Sequence, residues 1–402
     1  MSKSTTDSTT DSTTEQMTND SATDTSILEV QNFTKVYPDG TVAVEDISFS
    51  IDSGDFCVLI GPSGCGKSTT LHSLVGRIPA TEGAIILDGQ DITHTETYKR
   101  DIGLVFQDFQ LFPHLTVAEN IEYGLKQLNI DKTERAEQVD KMIDIMKLDG
   151  MRDRQPEELS AGQKQRVALS RSLVLEPKLL LLDEPLGDMD YKLQKRMERE
   201  LLRIHREMDT AFVYVTHDQT QAMRLGDQIV VMNDGKIEQS GSVDEVYNSP
   251  ETAFVSTFVG DSNVFTGELT GISDTGQTAE IDTKFGTFRA STQNLDSDPE
   301  SLRGSSVPFS VRPQYLRIGT HLDNVLQCTV EDVLHQPGSG TQVLLSARDA
   351  DGKSKEFQLQ SSEQLTINED TIAVTWSADH STLLERTSVL PDIDLEKDVL
   401  GE

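Results

Sequence analysis

The sequence is poor in the features that mark secreted and membrane-embedded proteins. Its 402 residues include only three cysteines, Cys57, Cys65 and Cys328, and a single tryptophan. The cysteines have neither the pairing of a disulfide framework nor metal-ligand spacing, which is typical of proteins in a reducing cytoplasm. No stretch approaches the roughly 18 consecutive apolar residues that a membrane-spanning helix needs. We therefore expect a chain that is soluble on its own and that can dock on a membrane protein.

Basic residues are also scarce. The chain has 35 Lys and Arg against 68 Asp and Glu, a formal net charge of −33. This balance disfavours binding to a nucleic-acid backbone. Because acidic residues recur in every segment, they do not form one functional patch. We interpret them as the solvation of a protein working in concentrated salt, where screening weakens self-repulsion; an ordinary acidic protein is the alternative.

The composition and hydrophobic pattern of the sequence change several times along the chain. The first residues, MSKSTTDSTTDSTTEQMTND, lack the apolar stretch of a secretory signal and predict a disordered tail. Short apolar runs then alternate with helical patterns, which indicates a parallel α/β sheet. After about residue 260, short alternating β runs are separated by Gly, Asp, Ser and Pro, which predicts a small all-β barrel. The predicted divisions are a tail at 1–26, an α/β domain at 27–260, a barrel domain at 261–390 and an acidic tail at 391–402.

Within the α/β part, the predicted elements are distinct. Alternation over residues 27–53 predicts an antiparallel β start. Residues 56–60 (FCVLI), 179–182 (LLLL) and 211–215 (AFVYV) are continuous short apolar runs, which are typical of buried parallel strands. The pattern from about 116 to 160 is mostly helical and polar, and we expect a helical subdomain there.

A phosphate-binding loop follows the first of these buried strands. The stretch GPSGCGKST fits G-x-x-x-x-G-K-[ST] in full and precedes a helical pattern, the context expected of a P-loop. Its glycines let backbone N–H groups face the phosphates. Lys67 would contact the β- and γ-phosphates and Ser68 would bind Mg²⁺, while Cys65 is interpreted as a small loop residue. The predicted nucleotide-binding residues are Gly61, Pro62, Ser63, Gly64, Cys65, Gly66, Lys67, Ser68 and Thr69.

Two acidic residues end the second buried strand, in LLLLDEP. Asp183 is placed to hold Mg²⁺ through water, and Glu184 to polarise a water that attacks the γ-phosphate. Two acids after an apolar strand could instead cap the next helix. The P-loop upstream favours the catalytic interpretation.

The order of these motifs resembles that of the ABC (ATP-binding cassette) ATPases. The P-loop is followed by LSAGQ at 159–163 and then by LLLLDEP, and the likeness runs from about residue 29 to 260. Each further match alone could be an ordinary packing or surface residue, so the ordered set carries the resemblance. It implies ATP and Mg²⁺ as ligands and assigns four more residues: Tyr37 as the aromatic that stacks on adenine, Gln107 as the glutamine that touches Mg²⁺ and water, Asp190 as the aspartate at the dimer seam, and His217 as the histidine that contacts the γ-phosphate.

The stretch LSAGQKQRVALSRSL at residues 159–173 has the pattern of a polar turn opening a helix. A helix start exposes N–H groups and partial positive charge, which suits an anion. The resemblance implies that this anion is the γ-phosphate of ATP held by a second copy, in a head-to-tail homodimer. The contacts would come from Ser160, Ala161, Gly162 and Gln163.

Two departures from the family pattern accompany this motif. Ala161 replaces a glycine of the usual LSGGQ, and Gly187-Asp188-Met189 precedes Asp190 where a small or polar stretch ending in Leu is usual. We interpret Lys164, Arg166 and Arg171 as a solvated helix face.

Three stretches resemble the ATPase subunits of importers. They are VFQDFQLFPHLTVAENIEYGL, the segment after His217, and VPFSVRPQYLRI at 307–318, in which Gln314 stands where Glu is commoner. The resemblance implies a peripheral subunit at the cytoplasmic face of the membrane. It would act with two permease subunits and, indirectly, an extracellular solute-binding protein, and the barrel would serve dimerisation or regulation. The solute stays open among sugar, polyamine, iron, sulfate and thiamine.

Two other functions are alternatives to an importer subunit. A soluble ABC ATPase of DNA repair or of the ribosome usually carries long coiled coils or two cassettes, and neither is visible here. The net charge of −33 also disfavours nucleic acid as a partner. A P-loop kinase or GTPase does not need the LSAGQ stretch.

Overall fold

The structure, a computed structural model, describes residues 26–187, 189–295, 297–336 and 340–388. The predicted tails at 1–26 and 391–402 lie outside these ranges except for Ser26, and Asp188 also lies outside them. No helix among the described residues is long and apolar enough to cross a membrane.

Two sheets and eight helices are found among the described residues up to 260. The strands are β1 (Ser26–Val36), β2 (Val42–Asp52), β3 (Phe56–Ile60), β4 (Glu82–Leu87), β5 (Gln90–Asp91), β6 (Ile102–Val105), β7 (Leu179–Asp183), β8 (Ala211–Val215), β9 (Gln228–Asn233) and β10 (Lys236–Ser242). The helices are α1 (Lys67–Leu74), α2 (Val117–Gln127), α3 (Lys132–Ile145), α4 (Ala161–Leu173), α5 (Tyr191–Glu207), α6 (Gln219–Leu225), α7 (Val243–Asn248) and α8 (Ala253–Gly260).

The central sheet has the order β10-β9-β3-β8-β7-β6 and is parallel except for the β9–β10 pair. Its strands are buried on both faces, which explains their continuous apolar runs. In β3, Phe56, Val58 and Ile60 join the core cluster that contains the helical segment, whereas Cys57 and Leu59 join the cluster beneath the antiparallel sheet β2-β1-β4-β5. The predicted parallel α/β sheet and antiparallel β start are confirmed.

The helical segment is shorter than its sequence pattern predicts. Helix α2 begins at a capping box in which Glu119 N donates to Thr116 Oγ1 (3.2 Å) and Thr116 N donates to Glu119 Oε2 (2.8 Å). Helix α3 follows and ends at Ile145. Between residues 146 and 160 the helical structure is limited to a short 3₁₀ turn at Pro156–Glu158, so the mostly helical pattern of residues 116–160 corresponds to α2 and α3. Lys147 and Gly150 have φ of 51° and 70°, conformations that a helix cannot contain.

The rest of the described chain is β structure in two sheets around one core. A closed barrel has the order β11-β12-β13-β20-β14, and a five-stranded sheet has the order β15-β19-β16-β17-β18. The barrel was predicted, but the second sheet was not. The strands are β11 (Asn263–Ile272), β12 (Thr278–Thr283), β13 (Gly286–Ser291), β14 (Ser306–Val311), β15 (Arg317–Ile318), β16 (Asn324–Gln336), β17 (Gly340–Arg348), β18 (Ser354–Ser361), β19 (Thr371–Trp376) and β20 (Ser381–Leu383).

Aromatic side chains hold the two sheets together. Phe265 of the barrel stacks on Phe357 of the second sheet with ring centroids 5.0 Å apart, and on Trp376 at 5.7 Å. Trp376 is fully buried, and its Nε1 donates to Ser381 Oγ at 2.8 Å. The buried indole therefore keeps a hydrogen bond while filling the shared core.

A buried arginine joins the barrel to the last helices of the α/β part. Arg312 Nη1 donates to Ser256 O (2.9 Å), and Nη2 donates to Tyr247 O. Its guanidinium carbon lies 4.2 Å from the Tyr247 ring centroid. Gln314 Nε2 donates to the Tyr247 hydroxyl at 3.1 Å, so this departure from the family pattern keeps a polar contact.

The end of the described chain returns to the α/β part. Ala253 N and Phe254 N, at the start of α8, donate to Arg386 O and Thr387 O. The buried Glu238 carboxylate accepts hydrogen bonds from Thr252 Oγ1 and Ser388 Oγ. Both parts of the chain are therefore fixed to each other at two places, around Arg312 and around Glu238.

Replacement of Arg312 by Met should destabilise this junction. Arg312 is 7% exposed, and the substitution leaves two carbonyl oxygens near it without their donor. We expect a loss of about 3 kcal/mol in the free energy of unfolding, measured by urea denaturation. Arg303→Met, which removes an exposed arginine from its contact with Glu300, is the control and should cost less than about 1 kcal/mol. Equal losses in the two variants would contradict a junction role.

Candidate functional site

The predicted catalytic residues all follow neighbouring strands of the central sheet. Strands β3, β8, β7 and β6 are adjacent and parallel, so their carboxyl ends share one edge. The P-loop follows β3, His217 follows β8, Glu184 follows β7 and Gln107 follows β6. The fold therefore brings to one edge residues that lie far apart in the sequence.

Close backbone contacts fix the P-loop. A Cβ at Gly61 would lie 2.1 Å from Met232 O, and a Cβ at Gly66, where φ is 100°, would lie 2.6 Å from Ala43 O. Only glycine fits these two positions. Ser63, Gly64 and Ser68 are exposed, whereas Pro62 and Thr69 are half-buried. The exposed rim of the loop is thus polar and accessible to a phosphate.

The lysine of the loop is held inside the turn. Lys67 is 6% exposed, and its Nζ donates to Gly61 O and Pro62 O at 2.8 Å each. It also lies 3.6 Å from Cys65 Sγ. Burial raises the pKa of the Cys65 thiol, with Lys67 opposing that shift. This keeps the thiol protonated, in agreement with its interpretation as a loop residue.

Asp183 is a half-buried carboxylate beside a histidine. Its Oδ2 lies 3.6 Å from His72 Nε2, on α1 directly behind the P-loop. Burial raises the pKa of Asp183, which the neighbouring His72 opposes and the Glu184 charge reinforces. Burial likewise lowers the pKa of His72, which Asp183 opposes. A carboxylate with a raised pKa gains from a cation placed next to it.

Glu184, His217 and Gln107 converge on one point. His217 Nδ1 lies 3.3 Å from Glu184 Oε1. A Cβ built on Gly187 would lie 3.6 Å from Gln107 Nε2 and 3.7 Å from Glu184 Oε2, so both side chains approach the same glycine. Glu184 has φ of 44°, an unfavourable value for a residue with a Cβ. A carboxylate next to a histidine, with a glutamine nearby, can orient a water and accept its proton.

The oxygen atoms at this edge suit Mg²⁺. Ser68, Gln107 and Asp183 offer a hydroxyl, an amide and a carboxylate, which are hard oxygen ligands. No group of three or more His, Cys, Asp or Glu side chains able to hold a metal occurs among the described residues. Mg²⁺ is usually bound by one or two protein carboxylates and completes its shell with phosphate and water.

Tyr37 lies next to the P-loop. Its hydroxyl is 3.4 Å from Thr69 Oγ1, and Lys35 Nζ lies 5.4 Å from the centre of its ring. Lys35 is 7% exposed and also donates to Pro79 O at 2.7 Å. The ring is thus held by a cation on one side and is half-buried, which allows stacking on its accessible surface.

The LSAGQ turn is at the start of α4, as predicted. Ser160 N donates to Gln163 Oε1 at 2.9 Å, and Ser160 and Ala161 are exposed. The methyl group of Ala161 therefore has room. Gly162 is buried, and a Cβ there would lie 3.1 Å from Met197 Sδ on α5, so the absence of a side chain lets α4 pack closely on α5. Across the described residues, no hydrogen bond joins Ser160 or Ala161 to the P-loop of the same chain.

Asp190 caps helix α5. Its Oδ1 accepts hydrogen bonds from Lys192 N and Leu193 N at 3.1 Å, and the residue is exposed. Met189 packs against the main core and fills the place before the cap. The departure from the family pattern in this loop thus keeps its aspartate at the surface.

The interpretation of the α4 arginines as solvated was wrong. Arg166 Nη1 donates to Met146 O and Lys147 O at 3.1 Å, where it completes the end of α3. Arg171 donates to Phe109 O and Gln110 O. The sequence could not predict these bonds, because arginines on one helix face have the same spacing whether they bind carbonyl groups or face solvent.

Sequence reasoning also missed Lys35 and His72. Lys35 lies near the end of β1, two residues before Tyr37, and side chains two residues apart in an extended chain point to the same side. His72 lies five residues after Lys67 and offers no motif. The first had a signal in the sequence, whereas only the fold places His72 beside Asp183.

Replacement of Asp183 by Asn should stabilise the metal-free chain. At neutral pH the variant removes a half-buried carboxylate, and we expect a gain on the order of 1 kcal/mol in EDTA. Because the folded-state pKa of Asp183 is raised, its charged carboxylate lowers the stability of the folded chain. This loss of stability is complete above the folded-state pKa and disappears as the pH falls toward the ordinary value of 3.8. The gain, measured by thermal unfolding, should shrink with it. The exposed Asp149→Asn variant is the control, and a pH-independent gain would contradict the assignment.

Comparisons with known proteins agree with this geometry. The family described as ABC transporter matches residues 44–187. The Spermidine/putrescine import ATP-binding protein PotA of Thermobifida fusca is 38% identical over 366 residues, covering 89% of this chain and 93% of that protein. The Fe(3+) ions import ATP-binding protein FbpC of Photobacterium profundum is 36% identical over 348 residues, covering 84% and 95%.

A solved structure shares the fold. The structure of cbiO1 from Clostridium perfringens, described as part of the ABC transporter complex cbiONQ, has a TM-score of 0.52 and 30% identity, covering 55% of this chain and 90% of that one. The likeness in sequence covers nearly the whole chain, and the likeness in fold covers about half of it. The chain therefore belongs to the ABC transporter family, as an ATP-hydrolysing subunit of the importer type.

Proposed function

We propose that two copies of this chain, arranged head to tail, bind MgATP at shared sites and power solute uptake through two membrane permease subunits. The observation that carries the proposal is the convergence of Lys67, Asp183, Glu184 and His217 at one sheet edge. Ser160 and Ala161 of the LSAGQ turn are exposed and, within the described residues, make no hydrogen bond to that P-loop. A second copy can supply the missing turn. Closure of the site then depends on ATP.

Each residue at the sheet edge has a role in the proposal. Lys67 contacts the β- and γ-phosphates among the N–H groups of the P-loop. Ser68, Gln107 and Asp183 hold Mg²⁺, which neutralises phosphate charge when bound. Glu184 orients the attacking water and accepts its proton, while His217, 3.3 Å away, faces the γ-phosphate.

The remaining contacts come from Tyr37 and from the second copy. Tyr37 stacks on adenine. Ser160 donates its hydroxyl to the γ-phosphate held by the other copy, and the start of α4 adds its partial positive charge. Ala161, Gly162 and Gln163 complete that turn, and Asp190 lies at the seam. Loss of the γ-phosphate removes these contacts and lets the copies part.

The proposed permease-docking surface is an aromatic cluster beside Gln107. Phe112 and Tyr123 have ring centroids 4.5 Å apart, and His114 lies 6.3 Å from Phe112. Tyr123 is 41% exposed. Exposed aromatic clusters are typical of protein interfaces. The location that follows is peripheral, at the cytoplasmic face of the membrane, with an extracellular solute-binding protein as an indirect partner and no nucleic acid.

The two parts of the chain have different roles in the proposal. We assign residues 27–260 to ATP hydrolysis, with the helical subdomain at about 116–160, and residues 261–390 to dimerisation with regulation. The relatives are named for spermidine/putrescine and for Fe(3+) import, which supports a cationic solute for this system. Selection of the solute belongs to the permeases and the binding protein.

Replacement of Glu184 by Gln should separate ATP binding from turnover. The variant keeps the shape of the side chain but loses the base, so we expect a fall of about 100-fold or more in ATPase rate. MgATP should then convert it to a long-lived dimer, measured by light scattering. Lys67→Ala should weaken nucleotide binding and give no dimer.

Glu207→Gln is the control for this experiment, since it alters a half-exposed carboxylate at the far end of α5. It should hydrolyse ATP like the parent. A Glu184→Gln variant that remains monomeric at saturating MgATP would overturn the head-to-tail arrangement. A parental ATPase rate in that variant would remove Glu184 from its role.

We also propose that the net charge of −33 adapts the chain to concentrated salt. Screening of like charges should raise the thermal midpoint between about 0.1 and 2 M KCl by about 5 °C, because the Debye length falls to a few ångströms. Sucrose at equal osmolality is the control, since it leaves charges unscreened. A midpoint that does not depend on KCl would contradict the proposal.

A further inference from the structure

Arg171 connects the LSAGQ helix to the segment that follows Gln107. It lies in the last turn of α4, where Nη1 donates to Gln110 O at 2.6 Å and Nη2 donates to Phe109 O at 3.0 Å. Its guanidinium carbon is 5.3 Å from the Phe112 ring centroid. Burial lowers the pKa of Arg171, and no ion pair found among the described residues includes it. The half-buried guanidinium group of Arg171 therefore donates its hydrogen bonds to two backbone carbonyl groups.

The segment that Arg171 holds has an unfavourable backbone conformation. Phe109 and Gln110 are consecutive residues with φ of 59° and 42°. Phe109 N donates to Phe106 O (3.0 Å) and Gln110 N donates to Asp108 O (2.7 Å), so the chain turns tightly just after Gln107. Left-handed conformations of residues with a Cβ persist only where their surroundings hold them. Arg171 supplies bonds to both carbonyl groups of this pair.

The other end of α4 carries the LSAGQ turn. Arg171 is ten residues beyond Ala161, about 15 Å along a straight helix. Arg166 fixes the middle of α4 to the end of α3 through Met146 O and Lys147 O. A single helix therefore carries Ser160 at one end and is hydrogen-bonded, through Arg171, to the loop of Gln107 at the other.

We propose that Arg171 is a positioning residue that fixes the loop of Gln107 to the LSAGQ helix, so that the site on one copy and the turn offered to the other move together. The inference rests on the proposed function. It assigns Arg171 no contact with nucleotide. Its effect passes through Gln107, whose side chain approaches Gly187 together with that of Glu184.

The test replaces Arg171 by Met and by Lys in the full chain. For Arg171→Met we expect kcat for ATP to fall by about tenfold or more, because small displacements of Gln107 suffice, while KM changes less than about threefold. Hydrogen exchange at the Phe109 and Gln110 amides should accelerate by about tenfold or more. Lysine has a single ammonium and lacks the two-pronged fork, so Arg171→Lys should be intermediate. Arg206→Met, which removes an exposed arginine of α5, should match the parent.

A double-mutant cycle separates positioning from general stability. If Arg171 acts through Gln107, Arg171→Met should lower kcat by less than about twofold in a Gln107→Ala background. Additive losses, or parental kcat and exchange in Arg171→Met, would overturn the inference. If Arg171→Met does not fold, the same cycle with Arg171→Lys decides. Failure of the parent and of Arg206→Met to hydrolyse ATP would instead overturn the proposed function.

Discussion

The parallel order β3-β8-β7-β6 is the constraint on which the site depends. Each of these strands is a short apolar run, and polar residues appear only where the run ends. Four neighbouring carboxyl ends therefore place Lys67, His217, Glu184 and Gln107 at one edge of the sheet. The chemistry needs no long-range hydrogen-bond network to bring these residues together, because the backbone ladder does so.

The same edge concentrates conformations that a chain avoids elsewhere. Glu184 has a positive φ, as do Phe109 and Gln110 just after Gln107. Asp183 keeps a half-buried carboxylate with a raised pKa. Unfavourable backbone and electrostatic states persist only where the rest of the fold stabilises them. Here the buried strands support the edge, and Arg171 of α4 binds the Phe109 and Gln110 carbonyl groups. A cation is the ligand that would relieve the unfavourable charge of the Asp183 carboxylate.

The sequence predicted those features whose interacting residues lie close together along the chain. The P-loop was predictable because Gly61, Gly66 and Lys67 act within one short stretch, and FCVLI indicated its strand directly. The second β sheet was not predictable, since alternation is the same whether strands form one sheet or two. Arg171 was misread because its partners lie 61 and 62 residues away. The contact of His72 with Asp183 likewise exists only in the fold.

The position of Gly162 explains how the LSAGQ turn is held at the surface of the chain. A Cβ at Gly162 would approach Met197 Sδ to 3.1 Å, so this glycine serves the packing of α4 on α5. That packing leaves Ser160 and Ala161 exposed at the helix start, with Asp190 exposed at the start of α5. Two helix starts thus face solvent, and their N–H groups attract negative charge. The Ser160 N–H is bonded to Gln163 Oε1 within the turn, so the turn is fixed by its own contacts while Ser160 and Ala161 stay exposed.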